Sequence, residues 1–231
     1  MNNLINIEIG GEKILAITLF GNNRKIEALQ WHQKVMTEHF GLNINYVGCP
    51  FPAYSNGFFM NHILKNTIDT PNRPDYYLFI DYDAIFLKPN CMQLIYDIVK
   101  NKTTVFGLAQ QSNHLKGPNG NIQHAYASQA ILCFSSSLYD KLGRPDLDHF
   151  NPRSDIAEEL TYRTKELGYG VCLYYPSHVV DANCDLDNGM KFGLGNTFGP
   201  NLFYHAMQAA DSRSVPLFIE KCKEVLDGKI V

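Results

Sequence analysis

Two aspartates, Asp81 and Asp83, directly follow a run of bulky apolar residues at 76–80. Such a run, apolar on both faces, is typical of a central strand that helices cover on both sides. The pair would then lie at the carboxyl end of that strand, where open α/β sheets bind their ligands. Two carboxylates one residue apart can approach the same cation, and Mg²⁺ and Mn²⁺ prefer such oxygen ligands. A solvated acidic turn is the alternative, but apolar residues on both sides favour buried charges that need a partner.

Short apolar runs alternate with segments of helical periodicity along most of the chain. Strands are predicted over residues 13–20, 43–47, 76–80, 103–108, 129–134 and 170–175. Helices are predicted over residues 24–40, 57–66, 91–100, 137–142, 154–167 and 215–226. This alternation indicates an α/β fold with a central, mostly parallel sheet flanked by helices. Two stretches rich in Gly and Asn, 110–121 and 181–201, are predicted to be long loops of the kind that often bind ligands.

The composition fits a globular protein and disfavours several classes. With 231 residues, of which 45% are hydrophobic and 19% charged, the chain can bury a sizeable core. The net charge is −3 and the basic residues are scattered, so we expect no nucleic-acid partner. The six cysteines form no C-x-x-C pair, which indicates free thiols in a reducing compartment. No apolar stretch approaches the roughly 20 residues of a transmembrane helix, and we expect a cytoplasmic protein without a signal peptide.

The acidic segment also resembles that of a known family. Residues 75–87, with the D-x-D pair at their centre, resemble the D-x-D segment of GT-A glycosyltransferases. Residues 17–23, 126–134 and 203–205 look like the nucleotide-binding loop, the donor and acceptor strand and the late histidine of that family, in the same order. The resemblance implies a GT-A (Rossmann-like) nucleotide-diphospho-sugar transferase fold in a single catalytic domain over 1–231. Its nucleotide-binding half would cover about 1–100 and its acceptor-binding half about 101–231.

The resemblance further implies transfer of a sugar from a nucleotide diphosphate to a hydroxyl acceptor. Mn²⁺ or Mg²⁺ would bind Asp83 directly and a ring nitrogen of His205, and Asp81 would contact the ribose or reach the metal through water. The metal would neutralise the departing diphosphate. The donor, of the UDP or GDP type, would contact a larger set of residues: Thr18, Leu19, Phe20, Asn22, Asp81, Tyr82, Ser128, Gln129 and Arg213. The acceptor would be a glycan or another hydroxyl compound. Structural alternatives exist for two residues, because His205 could be a core histidine and Arg213 a surface salt-bridge partner.

An inverting transferase needs a general base that deprotonates the acceptor hydroxyl. Residues 154–163 resemble a family helix of the form acidic-x-x-Leu-x-x-Arg, but the position that is usually acidic holds Ala157. The candidates are therefore Asp155, Glu158 and Glu159, on one face of the predicted helix, and Asp155 is favoured. Asp155 and Glu158 also form a D-x-x-E capping box, which is a structural alternative. An enzyme that retains configuration would need no such base.

Two other functions are compatible with the sequence. A haloacid-dehalogenase-type phosphatase also carries a D-x-D motif after an apolar strand, with the first aspartate as nucleophile. Its motif lies in the first strand and is followed by Thr or Val, whereas here at least two strands precede Asp81 and Ala84 follows the pair. Residues 181–187 would be the nearest acidic group to complete its metal site. The second alternative is a non-catalytic sugar- or nucleotide-binding module on the same scaffold.

Overall fold

The computed structural model describes residues 4–21, 26–49, 55–116, 123–148, 155–186, 188–207 and 213–230. These residues form eleven strands: β1 (Ile7–Ile9), β2 (Glu12–Gly21), β3 (Asn45–Cys49), β4 (Tyr76–Ile80), β5 (Ala84–Phe86), β6 (Thr104–Lys116), β7 (Gln123–Ser135), β8 (Gly170–Tyr174), β9 (Pro176–Asp185), β10 (Lys191–Phe198) and β11 (Phe203–Ala206). They also form six α-helices: α1 (Ile26–Gln33), α2 (Asn56–Thr67), α3 (Cys91–Val99), α4 (Ser136–Lys141), α5 (Glu158–Glu166) and α6 (Ser214–Leu226). Helix α1 continues directly into a π-helical segment at Lys34–His39.

The main sheet contains seven strands and confirms the predicted α/β fold. Its strand order is β1-β2-β4-β7-β6-β8, and β3 pairs with the last residues of β2. Strands β2, β3, β4, β6 and β8 run in one direction, whereas β1 and β7 run in the opposite direction. Helices pack on both faces. The sheet is therefore flanked by helices, as predicted, and it is mixed: three of its six strand pairings are parallel and three are antiparallel.

Strand β4 lies inside the main sheet, and all five of its residues are buried. Tyr76, Leu78 and Ile80 belong to one apolar core, which also contains residues of α1, α3 and α6. Tyr77 and Phe79 belong to a second core, with residues of α2, α4 and α5. Complete burial of a large apolar side chain contributes about 1.5–3 kcal/mol. Packing on both faces therefore fixes the position of β4, and with it the position of the residues that directly follow the strand.

A second, antiparallel sheet with the order β5-β11-β10-β9 is not predicted by the sequence patterns. Strands β9 and β10 occupy much of the stretch 181–201, so the prediction of a long loop there is wrong. The glycines of this stretch allow close packing: a Cβ on Gly193 would lie 2.5 Å from the Asp181 carbonyl oxygen. A Cβ on Gly195 would lie 2.6 Å from the Tyr204 hydroxyl. Gly193 and Gly195 look like loop residues in the sequence, but they are strand residues whose neighbours leave no room for a side chain.

The other predicted loop, over 110–121, is also partly wrong. Residues 110–116 continue β6 instead, and residues 117–122 lie outside the described part of the chain. The predicted strand at 129–134 is correspondingly longer, because β7 begins at Gln123.

The predicted helix at 154–167 starts later than expected. Helix α5 begins at Glu158, because Ala157 before it adopts the left-handed conformation, with a φ of 65°. A right-handed helix cannot continue through such a residue. Asp155 therefore lies outside the helix, and the prediction that it shares a helix face with Glu158 and Glu159 is wrong.

Two expectations from the sequence concern free cysteine thiols and the lack of a transmembrane helix. Cys49, Cys91, Cys133, Cys172 and Cys222 are free thiols, as predicted, and Cys172 alone among these five is not fully buried. None of the described helices is long and apolar enough to span a membrane. The single-domain organisation and the compartment stay predictions.

Strands β6 and β7 lose their regular register close to the end of β4. Gly107 pairs with Leu132, but the next residue of β6 pairs with Ser128, so β7 bulges at residues 129–131. The strands approach closely at this point, because a Cβ on Gly107 would lie 2.5 Å from the Ala127 Cβ. The bulge carries residues of β7 towards the turn that follows β4.

Replacing Gly107 by alanine is expected to destabilise the fold. The added methyl group would collide with Ala127, and overpacking of this kind costs about 1–3 kcal/mol. Chemical denaturation measures the change in the free energy of unfolding. Gly21→Ala is the matched control, because a Cβ at Gly21 meets no atom of the described residues within 4 Å. Equal stability of the wild type and Gly107→Ala would contradict the close approach of β6 and β7.

Candidate metal centre and donor site

The two aspartates lie in a tight turn between the two sheets. The Asp81 N–H donates a hydrogen bond to the Ala130 carbonyl of β7 (3.0 Å). The Ala84 N–H donates to the Asp81 carbonyl (3.0 Å) and closes the turn as β5 begins. Asp81 is therefore tied to the main sheet, whereas Asp83 immediately precedes the second sheet.

The second sheet brings a histidine to the same turn. Strand β11 pairs with β5 so that His205 lies opposite Ala84, and the Ala206 N–H donates to the Asp83 carbonyl (3.0 Å). His205 Nε2 lies 3.6 Å from Asp83 Oδ1. Ligand atoms of Asp81, Asp83 and His205 all lie within 4.8 Å of one another. The structure thus brings together the three residues that the sequence suggests as metal ligands.

Burial of the two aspartates and the histidine affects their protonation states. Asp83 and His205 are 6% and 5% exposed, and Asp81 is half-buried. Burial lowers the pKa of His205 to about 4, so the imidazole is neutral at pH 7 and can offer a ring nitrogen to a metal. Burial raises the pKa of Asp81 to about 7, although a hydrogen bond from Gln129 acts in the opposite direction. A carboxylate in such surroundings gains from a nearby cation.

Two carboxylates and a neutral imidazole fit a divalent cation. Carboxylate oxygens suit Mg²⁺ and Mn²⁺, and a neutral imidazole is a common nitrogen ligand of metals in proteins. Mg²⁺ usually keeps several positions for water or substrate phosphate and takes few ligands from the protein. Asp81, Asp83 and His205 would leave such positions open, so the donor set fits an ion that also binds a diphosphate.

Strand β7 connects the aspartates to helix α5. Gln129, in the bulge, hydrogen-bonds the Asp81 side chain, and Ser128 beside it is buried. Two residues before Gln129, the Ala127 N–H donates to Thr161 Oγ1 of α5 (3.0 Å). The predicted donor-site residues of β7 therefore lie between the D-x-D turn and the acidic segment at the start of α5.

A buried tyrosine lies near both groups of carboxylates. Tyr126 of β7 is 2% exposed. Its pKa is raised well above the ordinary value, first by burial and then by the charges of Asp155, Glu158 and Asp81. Two of the general-base candidates, Asp155 and Glu158, therefore lie close enough to Tyr126 to act on the same side chain as Asp81.

The three base candidates have different surroundings. Glu158 is fully buried and accepts hydrogen bonds from the Asp155 N–H (2.7 Å) and the Tyr162 hydroxyl (2.6 Å). The first of these bonds is half of the capping box that the sequence suggested. Glu159 is also buried and accepts a hydrogen bond from Arg163 Nε (3.0 Å). Asp155 is half-buried and precedes the helix, so its carboxylate is the most accessible of the three.

The predicted nucleotide-binding residues of β2 lie at the same edge of the sheet. Strand β2 runs parallel to β4, and Ile17 pairs with Phe79. Thr18 and Leu19 are buried and Phe20 is half-buried, and all three follow this pair towards the carboxyl end of the strand. Asn22 lies outside the described residues.

The last two predicted donor-site residues of the described chain, Tyr82 and Arg213, have different surroundings. Tyr82, between the two aspartates, is half-buried and packs against the apolar core. Arg213 directly precedes α6, and its Nη1 lies 3.9 Å from Asp181 Oδ2, with both side chains largely exposed. This exposed ion pair is the structural alternative considered for Arg213 in the sequence.

Sequence reasoning assigned no individual role to two buried side chains beside the site, His32 and Tyr126, although Tyr126 lies in the segment 126–134 that resembles the donor and acceptor strand. His32 lies in α1, and its ring is next to the backbone of Ala84. An aromatic residue in a strand and a histidine in a helix are usually part of the core. No sequence pattern distinguishes these two from ordinary core residues.

Comparisons with known proteins find only loose similarity. No protein-family model and no curated protein matches the chain. The catalytic domain of Drosophila β1,4-galactosyltransferase 7 in complex with xylobiose is 15% identical with a TM-score of 0.43, over 76% of this chain and 68% of that chain. A mutant of that enzyme in complex with manganese, UDP-Gal and xylobiose is 15% identical with a TM-score of 0.43, over 78% and 71%. A glycosyltransferase involved in the glycosylation of the major capsid of PBCV-1 is 15% identical with a TM-score of 0.45, over 92% and 99%.

Metal binding is expected to strengthen as the pH rises from 6 to 8. The Asp81 carboxyl must lose its proton to bind a cation, and its pKa is raised to about 7. Proton competition at one site with this pKa weakens the apparent affinity about tenfold at pH 6 relative to pH 8. His205, with a pKa lowered to about 4, is neutral throughout this range and adds no pH dependence. Isothermal titration calorimetry with Mn²⁺ at both pH values measures the effect.

Asp81→Asn is the control for this titration, because an amide has no proton to lose in this range. The variant should bind Mn²⁺ more weakly at pH 8, and its affinity should be almost constant between pH 6 and pH 8. The same pH dependence in the wild type and the variant would show that a different group titrates.

Proposed function

We propose that this protein is a glycosyltransferase that uses a divalent metal to move a sugar from a UDP- or GDP-type donor to a hydroxyl group of a glycan or another acceptor. The observation that carries the proposal is the convergence of Asp81, Asp83 and His205 at the end of β4. Open α/β sheets bind ligands at this edge, and a strand-end D-x-D turn joined by a late histidine is the arrangement that the sequence resemblance implies. Mn²⁺ or Mg²⁺ is the proposed cofactor.

The three side chains are proposed to have different roles. A metal bound there would act as a Lewis acid and neutralise the diphosphate as it leaves. Asp83, which is buried beside His205, is the proposed direct ligand. Asp81 is more exposed and is proposed to contact the donor ribose or to reach the metal through water. His205 adds a neutral nitrogen, so the charge of the site comes from the two aspartates.

The donor is proposed to lie along the carboxyl ends of β2 and β4. The end of β2 and Asn22 would border the base and the ribose, and residues of the turn and of the β7 bulge would contact the diphosphate and the sugar. The proposed contacts are Thr18, Leu19, Phe20, Asn22, Asp81, Tyr82, Ser128, Gln129 and Arg213. The parallel pairing of β2 with β4 supports this assignment, because it brings Thr18 and Asp81 to the same edge.

Asp155 is proposed as the general base of an inverting transfer. In this reaction the acceptor oxygen forms a bond with the anomeric carbon while the bond from that carbon to the diphosphate oxygen breaks. The acceptor proton passes to the carboxylate, and the electron pair of the broken bond leaves with the nucleoside diphosphate. Glu158 and Glu159 are buried and accept hydrogen bonds within the protein. The greater exposure of Asp155 supports its choice.

Mn²⁺ and a nucleoside diphosphate together are expected to raise the melting temperature by more than the sum of their separate effects. The reason is that the metal and the diphosphate would share coordination bonds. At about 100 times the dissociation constant, binding contributes about 2.7 kcal/mol, which corresponds to about 5–10 °C for a chain of this size. Thermal-shift measurements with UDP and GDP, with and without Mn²⁺, test this expectation.

Matched carboxylate variants make this measurement specific. Asp83→Ala should abolish the joint shift. Asp97→Ala should keep it, because Asp97 is a partly exposed carboxylate on α3 that pairs with Lys100. Absence of a joint shift for both nucleotides in the wild type would contradict the proposal and favour the phosphatase alternative.

Asp155→Asn is expected to lower kcat by a factor of about 10²–10⁴, because an amide cannot take the proton from the hydroxyl group of the sugar acceptor. Nucleotide binding should not change. The measurement is release of nucleoside diphosphate from a panel of nucleotide sugars in the presence of glycan acceptors.

Glu158→Gln is the comparison for this variant. It is expected to lower the melting temperature, because Glu158 accepts two hydrogen bonds in a fully buried position. Undiminished turnover by Asp155→Asn would assign the base to Glu158 or Glu159, or indicate retention of configuration.

A further inference from the structure

Strand β5, which follows the D-x-D turn, lies at the edge of the second sheet. Only one side of β5 pairs with another strand of that sheet, β11. The Asp83 carbonyl and the Leu87 N–H both form hydrogen bonds on that side. Because successive residues of a strand alternate in direction, the Ala84 carbonyl and the Phe86 N–H point to the opposite side. Backbone groups on a buried sheet edge need partners from elsewhere in the protein.

Helix α1 and the π-helical segment cover this side of β5. The Phe86 N–H donates to Met36 Sδ (3.2 Å). His32 lies four residues before Met36, and its ring is next to the backbone of Ala84. Two side chains from one helical stretch therefore lie against the two outward-facing backbone positions of β5.

The hydrogen bonds of His32 fix which of its nitrogens can reach that edge. Nδ1 lies 3.1 Å from the Tyr46 hydroxyl, which in turn lies 3.0 Å from Thr37 Oγ1. Burial lowers the pKa of His32 to about 3, so the ring is neutral and carries one proton. If Tyr46 donates to Nδ1, this proton lies on Nε2. Nε2 is fully buried and has no hydrogen bond of standard geometry to the described residues.

We propose that His32 is a positioning residue of the metal centre: its Nε2–H faces the Ala84 carbonyl and holds the turn that carries Asp81 and Asp83. This inference rests on the proposed metal-dependent function and extends it. Ala84 is linked to all three proposed ligands, because its N–H bonds the Asp81 carbonyl, it follows Asp83, and it pairs with His205. A small displacement of Ala84 would therefore move each ligand relative to the others.

The expected consequence is a change in metal affinity. Partners that orient metal ligands without touching the metal typically change its affinity by about 10- to 100-fold when they are removed. His32 is buried behind the turn, so its removal would act through the backbone of Ala84 and would leave all three ligand side chains present.

Mn²⁺ binding to the full chain tests the inference, with free Mn²⁺ measured by electron paramagnetic resonance. His32→Phe keeps a ring in the buried space but removes the N–H, and it is expected to weaken Mn²⁺ binding about tenfold or more. His32→Gln keeps an N–H donor and is expected to recover part of the affinity. Tyr46→Phe removes the hydroxyl that orients Nδ1 and is expected to cause a smaller loss.

Thr67→Val is the control for general destabilisation. It removes the hydrogen bond between Thr67 Oγ1 and the Tyr77 hydroxyl (2.8 Å), beside the other apolar core. This variant should lower the melting temperature and leave the Mn²⁺ affinity unchanged. An equal loss of Mn²⁺ affinity in Thr67→Val and His32→Phe would overturn the specific role of His32.

Further results would distinguish a failure of the positioning role of His32 from a failure of the metal-dependent function. Wild-type Mn²⁺ affinity in folded His32→Phe would overturn the positioning role and leave the metal centre intact. If His32→Phe does not fold, wild-type affinity in Tyr46→Phe would overturn it. If the wild-type protein binds no Mn²⁺, the metal-dependent function itself fails, and the role of His32 fails with it.

Discussion

The placement of two carboxylates, one buried and one half-buried, at the end of a fully buried strand is the constraint on which the rest of the structure depends. Strand β4 is buried along its whole length, so the chain leaves it inside the protein rather than at the surface. A charge placed there loses much of its hydration and needs compensation from its neighbours. A hydrogen bond from Gln129 provides part of this compensation at the Asp81 carboxylate, but burial still raises the pKa of this carboxyl to about 7.

The neighbouring elements can be understood as supports for this turn. The β7 bulge brings Gln129 to Asp81, and β11 brings His205 to Asp83. Burial keeps the imidazole neutral near pH 7, so the histidine is already in the state that binds a metal. Ligands fixed in this way by two sheets need little rearrangement when an ion enters, and preorganisation of this kind strengthens metal sites.

The sequence predicts the parts of the fold whose patterns are strong. The apolar runs predict β2 and β4, and helical periodicity predicts α2, α3 and α6 close to their observed bounds. The D-x-D turn could be located because its type, spacing and position after a strand all agree. The late histidine could be suggested only by family resemblance, because its proximity to Asp83 depends on the pairing of β11 with β5.

The remaining features depend on tertiary contacts. The second sheet is hidden because Gly193 and Gly195 resemble loop residues, although they are small to fit the backbone of β9 and the hydroxyl of Tyr204. The start of α5 is hidden because no local pattern predicts a left-handed alanine at 157. The contact between His32 and β5 joins a helix to a sheet edge that is distant in sequence. The sequence of neither segment predicts this contact.

The position of the proposed ligands has a mechanical consequence. Asp81 directly follows β4 of the main sheet, and His205 lies within the second sheet. An ion coordinated by both would cross-link the two sheets at the point where the chain passes between them. Removal of the ion by a chelator would then destabilise the second sheet as well as the turn. The amide hydrogens of β9 to β11 would exchange with solvent faster, although most of these residues are distant from the ion.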